Sequence, residues 1–269
     1  MVRMLTETTP RMPDSSHATP APELRTAMPP LLYPLGEHLP QSGTVTEVAP
    51  GVFWLRMGLP FALNHINLWL LRDRLPHPTQ SGVMQEGWTA VDCGIDNPAT
   101  REAWQQIETQ ALQGLPILRV LVTHMHPDHM GLAHWLCAKF NAPLLISATE
   151  YQSATLSTHG TSNFGGVGTQ QFFSANGWNN PEDQEKVNER VFYYSKMVPK
   201  VPETYRRLMD GQVVRIGAYT WRCISGFGHS PEHMALYSQE AKVLISGDMV
   251  LPKISTNVSV YTQEPEANS

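Results

Sequence analysis

Mixed β-sheets with helices packed outside them, an α+β architecture, is the fold class this sequence predicts. Three observations lead there. Short strand-like runs alternate with stretches of helical period between about residues 45 and 148. Strand signals then return, without helices between them, from about 212 to 248. Between these regions, residues 150–210 are polar and glycine-bearing, with a helical stretch near their end, and read as an insertion.

In chain order, residues 1–42 are rich in Pro, Thr and Ser and lack periodicity, so a disordered leader is expected there and a folded domain over 43–269. Residues 45–48 and 52–57 are two strands joined by a turn at Pro50 and Gly51, and residues 66–73 and 87–94 are two more. The period then changes. Asn97 caps a helix that has Pro98 at its first position, an apolar stripe of Trp104, Ile107 and Ala111, and Gly114 as its stop. "PILRVLVT" (116–123) is a buried strand, followed by a helix at 132–140 and a strand at 142–148. Within the insertion, a helix capped by Asn180 is expected over 181–197. Residues 212–226 form a hairpin that turns at Gly217 and Ala218, and two further strands lie at 234–239 and 242–248.

Composition narrows the function classes. Hydrophobic residues make up 41% and charged residues 16%, which suits a chain that buries a core in water. A net charge of -5 argues against binding nucleic acid by bulk positive charge. Cys93, Cys137 and Cys223 are too few and too scattered for a disulfide framework or a zinc ribbon, so a reduced, cytoplasmic protein is expected. No window reaches the ~18 consecutive apolar residues of a membrane span, and the N-terminus has no signal-peptide core, so no membrane partner is expected.

The chemistry concentrates in "THMHPDHMGLAHW" (123–135). Side chains alternate along a strand, so His124 and His126 at the end of a buried strand point the same way and can share one ion. Asp128 and His129 follow Pro127, where the chain turns, and can aim at a neighbouring point. Imidazole and carboxylate donors suit zinc, and iron or manganese as well. His134 falls inside the next helix and reads as a packing residue. Two sites need more ligands. His229 in a Gly-rich turn and Asp248 at the end of an apolar strand supply them, with His233 at a strand start behind His229.

Taken together, H-x-H-x-D-H, the isolated Gly-His at 228–229 and "SGD" at 246–248 resemble the metallo-β-lactamase-fold hydrolases, and in particular their glyoxalase II (hydroxyacylglutathione hydrolase) branch. The resemblance runs from about residue 45 to the end. It implies an αββα fold, two β-sheets sandwiched between outer helices. One metal would be held by His124, His126 and His229, and a second by Asp128, His129 and a bridging Asp248. "AVDCG" resembles the family's Asp-Thr-Gly strand end, with Cys93 in place of threonine, so Asp92 would support the ligands from behind, as would His233. The family normally continues past the Gly-Asp strand to a last Gly-His. No histidine follows His233 here, so a chain truncated before its last strand, helix and ligand is expected.

The implied activity is hydrolysis by a hydroxide bridging two divalent ions, most simply Zn2+, with Asp128 as both ligand and orienting group. A small thioester or ester is the first substrate class. Phosphodiester cleavage of RNA or DNA is the second, and an inactive metal-binding fragment is the third. Substrate contacts would come from the insertion, with Phe172, Phe173, Trp178, Tyr193 and Tyr194 as apolar candidates and Lys196, Lys200, Arg206 and Arg207 as cationic ones. His65 and Asn67 in the 58–67 hairpin read as structural.

Overall fold

The computed structural model describes residues 32–160, 165–251 and 254–266. Most of the expected leader and part of the Gly-rich run at 161–164 lie outside these residues. The chain divides into an N-terminal unit ending at His38, of which residues 32–38 are described as turns, and a main unit from Leu39.

The main unit opens with an antiparallel meander of β1 (Val45–Ala49), β2 (Val52–Gly58), β3 (His65–Pro76) and β4 (Met84–Val91). From β4 the sheet continues in parallel through β5 (Ile117–Leu121), β6 (Leu144–Ser147) and β7 (Tyr205–Leu208), giving seven strands in sequential order. Helix α1 (Pro98–Gln110) makes the first crossover. The Asn97 side chain accepts from the Thr100 N–H at 2.7 Å and Pro98 sits at the first turn, as the sequence indicates. Helices α2 (Pro127–Met130) and α3 (Ala133–Phe140) make the second.

A second sheet, ordered β11–β10–β9–β8, is formed by β8 (Val213–Ile216), β9 (Tyr219–Gly226), β10 (His233–Ser238) and β11 (Val243–Ile245). Every pairing in it is antiparallel, so one sheet is mixed and the other is not.

Two apolar layers explain the strand sequences. On one face of the large sheet, Leu68, Leu70, Trp88, Val120 and Val122 pack with Trp104 and Ile107 of α1 and Leu136 of α3. On the other face, Leu71, Val91 and Leu121 meet Trp221, Cys223, Met234 and Leu236 of the small sheet. Strands buried on both faces read as nearly continuous apolar runs, which is why "PILRVLVT" shows no alternation. The described residues thus build helix, sheet and sheet layers of the expected fold. The outward face of the small sheet carries Ile224 and Leu244, both exposed.

The insertion differs from its sequence reading in three places. Residues 148–158 form helix α4 (Ala148–Thr158), capped by Ser147, where only polar loop is expected. Helix α5 (Val167–Ala175) lies in the Gly-rich run. The helix expected over 181–197 is broken into α6 (Pro181–Glu189) and α7 (Tyr193–Met197) by a short 3-10 turn, and β7 was hidden in the same polar stretch. Helical period alone carries little signal in α4, whose apolar and polar residues are not segregated to faces.

All three cysteines are free and buried. Burial pushes the Cys137 thiol up to about 12 and the Cys223 thiol up to about 11, and Cys93 well above its ordinary value. The thiolate is the reactive form. A native chain at pH 8 is therefore expected to resist a thiol reagent that titrates all three cysteines after unfolding; rapid labelling of the native protein would contradict this burial. Among the described residues, no helix is long and apolar enough to cross a membrane.

Candidate metal centre

Every histidine and aspartate singled out in the H-x-H-x-D-H run, with His229 and Asp248, converges at one end of the two sheets. His124 and His126 follow β5, and Asp128 and His129 lie in the short helix α2. His229 comes from the loop between β9 and β10, and Asp248 from the 3-10 turn after β11. His124 Nε2 lies 2.9 Å from His126 Nδ1, which lies 3.1 Å from His229 Nε2; the triangle closes at 3.2 Å.

The partners of the opposite ring atoms decide the protonation. His229 Nδ1 faces the Asn257 carbonyl at 3.0 Å, an acceptor only, so that nitrogen carries the proton and Nε2 presents a lone pair. His124 Nδ1 donates to Thr123 Oγ1 at 3.0 Å, because that hydroxyl spends its own proton on Asp92. His126 Nε2 lies 3.5 Å from Tyr261 Oη, whose hydroxyl donates to the His229 carbonyl at 3.0 Å, leaving Nδ1 to face the centre. Burial, then the neighbouring imidazoles, hold His124 well below its ordinary value; burial, followed chiefly by His229, lowers His126 to about 3. The three imidazoles therefore aim ring nitrogens at one point.

Lone pairs that close repel one another unless a cation lies between them. Bonds of about 2.0–2.1 Å in a tetrahedral zinc site place nitrogen ligands roughly 3.3 Å apart, close to the spacing observed. The donor set fits a divalent ion.

A second set, His124, His129 and Asp248, also brings three donor atoms together. His129 Nδ1 lies 2.9 Å from Asp92, and its buried Nε2 has no hydrogen-bond partner among the described residues. Asp248 approaches that nitrogen at 3.4 Å and His229 Nε2 at 3.5 Å, so it lies between the two sets. Burial would raise the Asp248 carboxyl, but His129 beside it holds it well below the usual carboxylate range. Asp128, in the first turn of α2 and partly exposed, lies beside this second set, 3.8 Å from His129 Nε2.

Supporting residues surround these donors. Asp92, in the left-handed region at φ 64, accepts from the Thr123 N–H and hydroxyl as well as from His129. His233 Nε2 accepts from the Asp248 N–H at 3.3 Å. It also packs against Gly247, where an added Cβ would come within 2.3 Å of that nitrogen, so the "SGD" glycine is required by His233. His134 stands apart, 3.8 Å from Asp96. Asn67 accepts from Trp54 Nε1 and His65 pairs with Asn64, both structural. Of the insertion aromatics, Phe172, Phe173 and Trp178 pack on one another, and Tyr194 is fully buried, so it lines no cleft. Thr123, Glu150, Thr256, Asn257 and Tyr261 had no role in the sequence reading. Only Thr123 had a signal, as a hydroxyl at the end of an otherwise apolar strand.

Residues 76–267, well over half of the chain, match the family model of the metallo-beta-lactamase superfamily. The chain belongs to that superfamily. Among solved structures it is similar to a beta-lactamase domain protein from Burkholderia ambifaria, with 51% identity and a TM-score of 0.77, covering 88% of this chain and 64% of that one. Among curated relatives, an uncharacterised protein of Aquifex aeolicus (strain VF5) is 30% identical over 145 residues, covering 52% of this chain and 53% of its own length. The probable metallo-hydrolase YflN of Bacillus subtilis (strain 168) is 23% identical, over 78% of this chain and 68% of its own. The chain thus spans about half of the Aquifex protein and less than two thirds of the Burkholderia one.

Proposed function

We propose that this chain is a metal-dependent hydrolase acting on a small thioester or ester, in the manner of the glyoxalase II branch, with two divalent ions and Zn2+ as the first choice. The observation that carries the metal reading is the triangle of imidazole nitrogens at 2.9–3.2 Å, each with its other nitrogen tied away from the centre. His124, His126 and His229 hold one ion. His129 and Asp248, with Asp128 beside them, hold the other.

Divalent ions bound there supply Lewis-acid polarisation of an acyl oxygen and bring the pKa of water towards neutrality. The protein supplies the rest. Asp128 is partly exposed beside the donors, and it orients the attacking water by accepting a hydrogen bond from it. Burial raises its carboxyl above the ordinary value, which makes it a better proton acceptor near neutral pH. Asp92 and Thr123 fix the rings of His124 and His129 and keep their lone pairs on the ions. An acyl substrate of small size suits a chain with net charge -5, which offers little bulk attraction to a nucleic-acid backbone. Three buried free thiols fit a reducing compartment such as the cytoplasm.

The test is a panel of acyl-glutathione thioesters, simple esters and single-stranded RNA, assayed with zinc-loaded chain and its Asp128→Ala variant. Thioester or ester turnover that drops by about 100-fold or more in the variant is expected, in the range of general acid–base contributions. Cleavage of RNA alone would sink the substrate class, and an undiminished Asp128→Ala variant would reject the role given to that carboxylate.

A further inference from the structure

We propose that Glu150 is a positioning residue that locks the two ligand-bearing loops to each other. It grips the peptide between His124 and His126 on one side and the loop carrying His229 on the other. The inference rests on reading those three histidines as a metal site.

Glu150 is fully buried at the third position of α4, yet it does not serve that helix. In a Ser-x-x-Glu capping box the glutamate reaches back to the cap residue. Here Ser147 does cap the Glu150 N–H, but the carboxylate turns away across the site. Its Oε2 accepts from the Met125 N–H at 2.7 Å. Its Oε1 accepts from the Ser230 hydroxyl and from the Glu232 N–H, both at 2.6 Å.

Each bond acts on a neighbour of a ligand. Met125 stands between His124 and His126, and the orientation of its peptide sets where both rings point. The other side of that residue is also held, since Tyr194 Oη donates to the Met125 carbonyl at 2.6 Å. Ser230 follows His229 directly. Glu232 is held a second time, by Ser147 Oγ donating to its carbonyl at 3.1 Å. The backbone bond from Met234 N–H to the Thr123 carbonyl joins the same two regions, but beyond the histidines on each side.

A buried carboxylate is unfavourable unless its oxygens are well bonded. Burial pushes Glu150 up to about 7 against the pull of its three donors. Packing alone would be served by an apolar side chain at that position. Two acceptor oxygens facing two separate loops are what a carboxylate offers and an apolar group does not.

Glutamine is the informative substitution, because it keeps the volume. Ser230 can turn its hydroxyl to accept, but a peptide N–H cannot. Whichever way the amide lies, its NH2 group faces a backbone N–H, that of Met125 or that of Glu232. The experiment compares the full wild-type chain with Glu150→Gln, with Ser230→Ala, which removes one of the three donors, and with Ile107→Val, a core variant in α1 that serves as a stability control.

Two readouts are taken. Amide exchange at Met125 and Glu232 is measured without metal, and Co2+ affinity and its visible ligand-field spectrum are measured by titration. Glu150→Gln is expected to speed exchange at one or both amides by tenfold or more. It is also expected to weaken Co2+ binding by about 10–100-fold with an altered spectrum. Ser230→Ala should move the same readouts by less, and it carries the test if Glu150→Gln does not fold. Ile107→Val should leave the Co2+ spectrum unchanged.

Unchanged exchange at both amides overturns the grip on the loops. Faster exchange with unchanged Co2+ affinity and spectrum overturns the positioning role alone. A wild-type chain that takes up no Co2+ overturns the metal reading, and the positioning role with it.

Discussion

Replacing His124 by alanine is expected to remove divalent-metal binding from the three-histidine set and to take hydrolysis to background. His124 is the histidine common to the two close-set groups. It is also completely buried, and its Nδ1 is committed to Thr123. The loss should exceed the roughly 10–100-fold that removing a hydrogen-bonding support to a ligand costs. The fold should survive, because the ring sits at the end of β5 and is absent from both apolar clusters. Metal content and circular dichroism on the same sample check this. A folded His124→Ala chain that keeps its full metal complement would place the ions elsewhere.

The largest expected effect on stability comes from a different part of the molecule. Arg119 on β5 and Asp73 on β3 form a buried ion pair at 2.8 Å. Asp73 also accepts from the Thr89 hydroxyl at 2.7 Å and from the Gly217 N–H at 3.0 Å, and Arg119 donates to the Arg215 carbonyl at 2.5 Å. The network therefore pins the β8–β9 turn of the small sheet to the middle of the large one. Asp73→Ala leaves a buried guanidinium without its counter-charge, which costs about 3–5 kcal/mol. For a unit of this size that lowers the melting temperature by roughly 6–20 °C. Adding Arg119→Met removes the stranded charge and should recover part of the loss. A thermal melt of the wild type and these two variants measures it; a shift of a degree or less in Asp73→Ala would show that the pair is solvated and contributes little.

The contrast between these two regions explains what could be read in the sequence. His124 and His126 stand two apart at the end of a strand, and that local spacing is enough to place them on one side. Asp248 and His229 could be found because each interrupts an apolar or glycine-rich context with a single polar group. Arg119 and Asp73 are 46 residues apart. Each sits in a strand where a lone charge reads as solvent-facing, and only the packing of one sheet on the other brings them together. Glu150 was hidden for a related reason: Ser147 and Glu150 have the spacing of a helix cap, which supplies a sufficient local explanation. Tyr261 and Asn257 belong to a segment without helical or strand period, and their place beside His126 and His229 is set by tertiary folding. Asp128 is legible from the same local run as His124 and His126, and it lies 3.8 Å from His129 Nε2.

The most direct measurement is the metal content of the purified chain after incubation with zinc and exhaustive removal of free ion. At least one tightly held ion per chain is expected, rising towards two at saturation, and falling in His126→Ala and His229→Ala. Fewer than one ion per wild-type chain, with the protein folded, would contradict the assignment of His124, His126 and His229 as a metal centre.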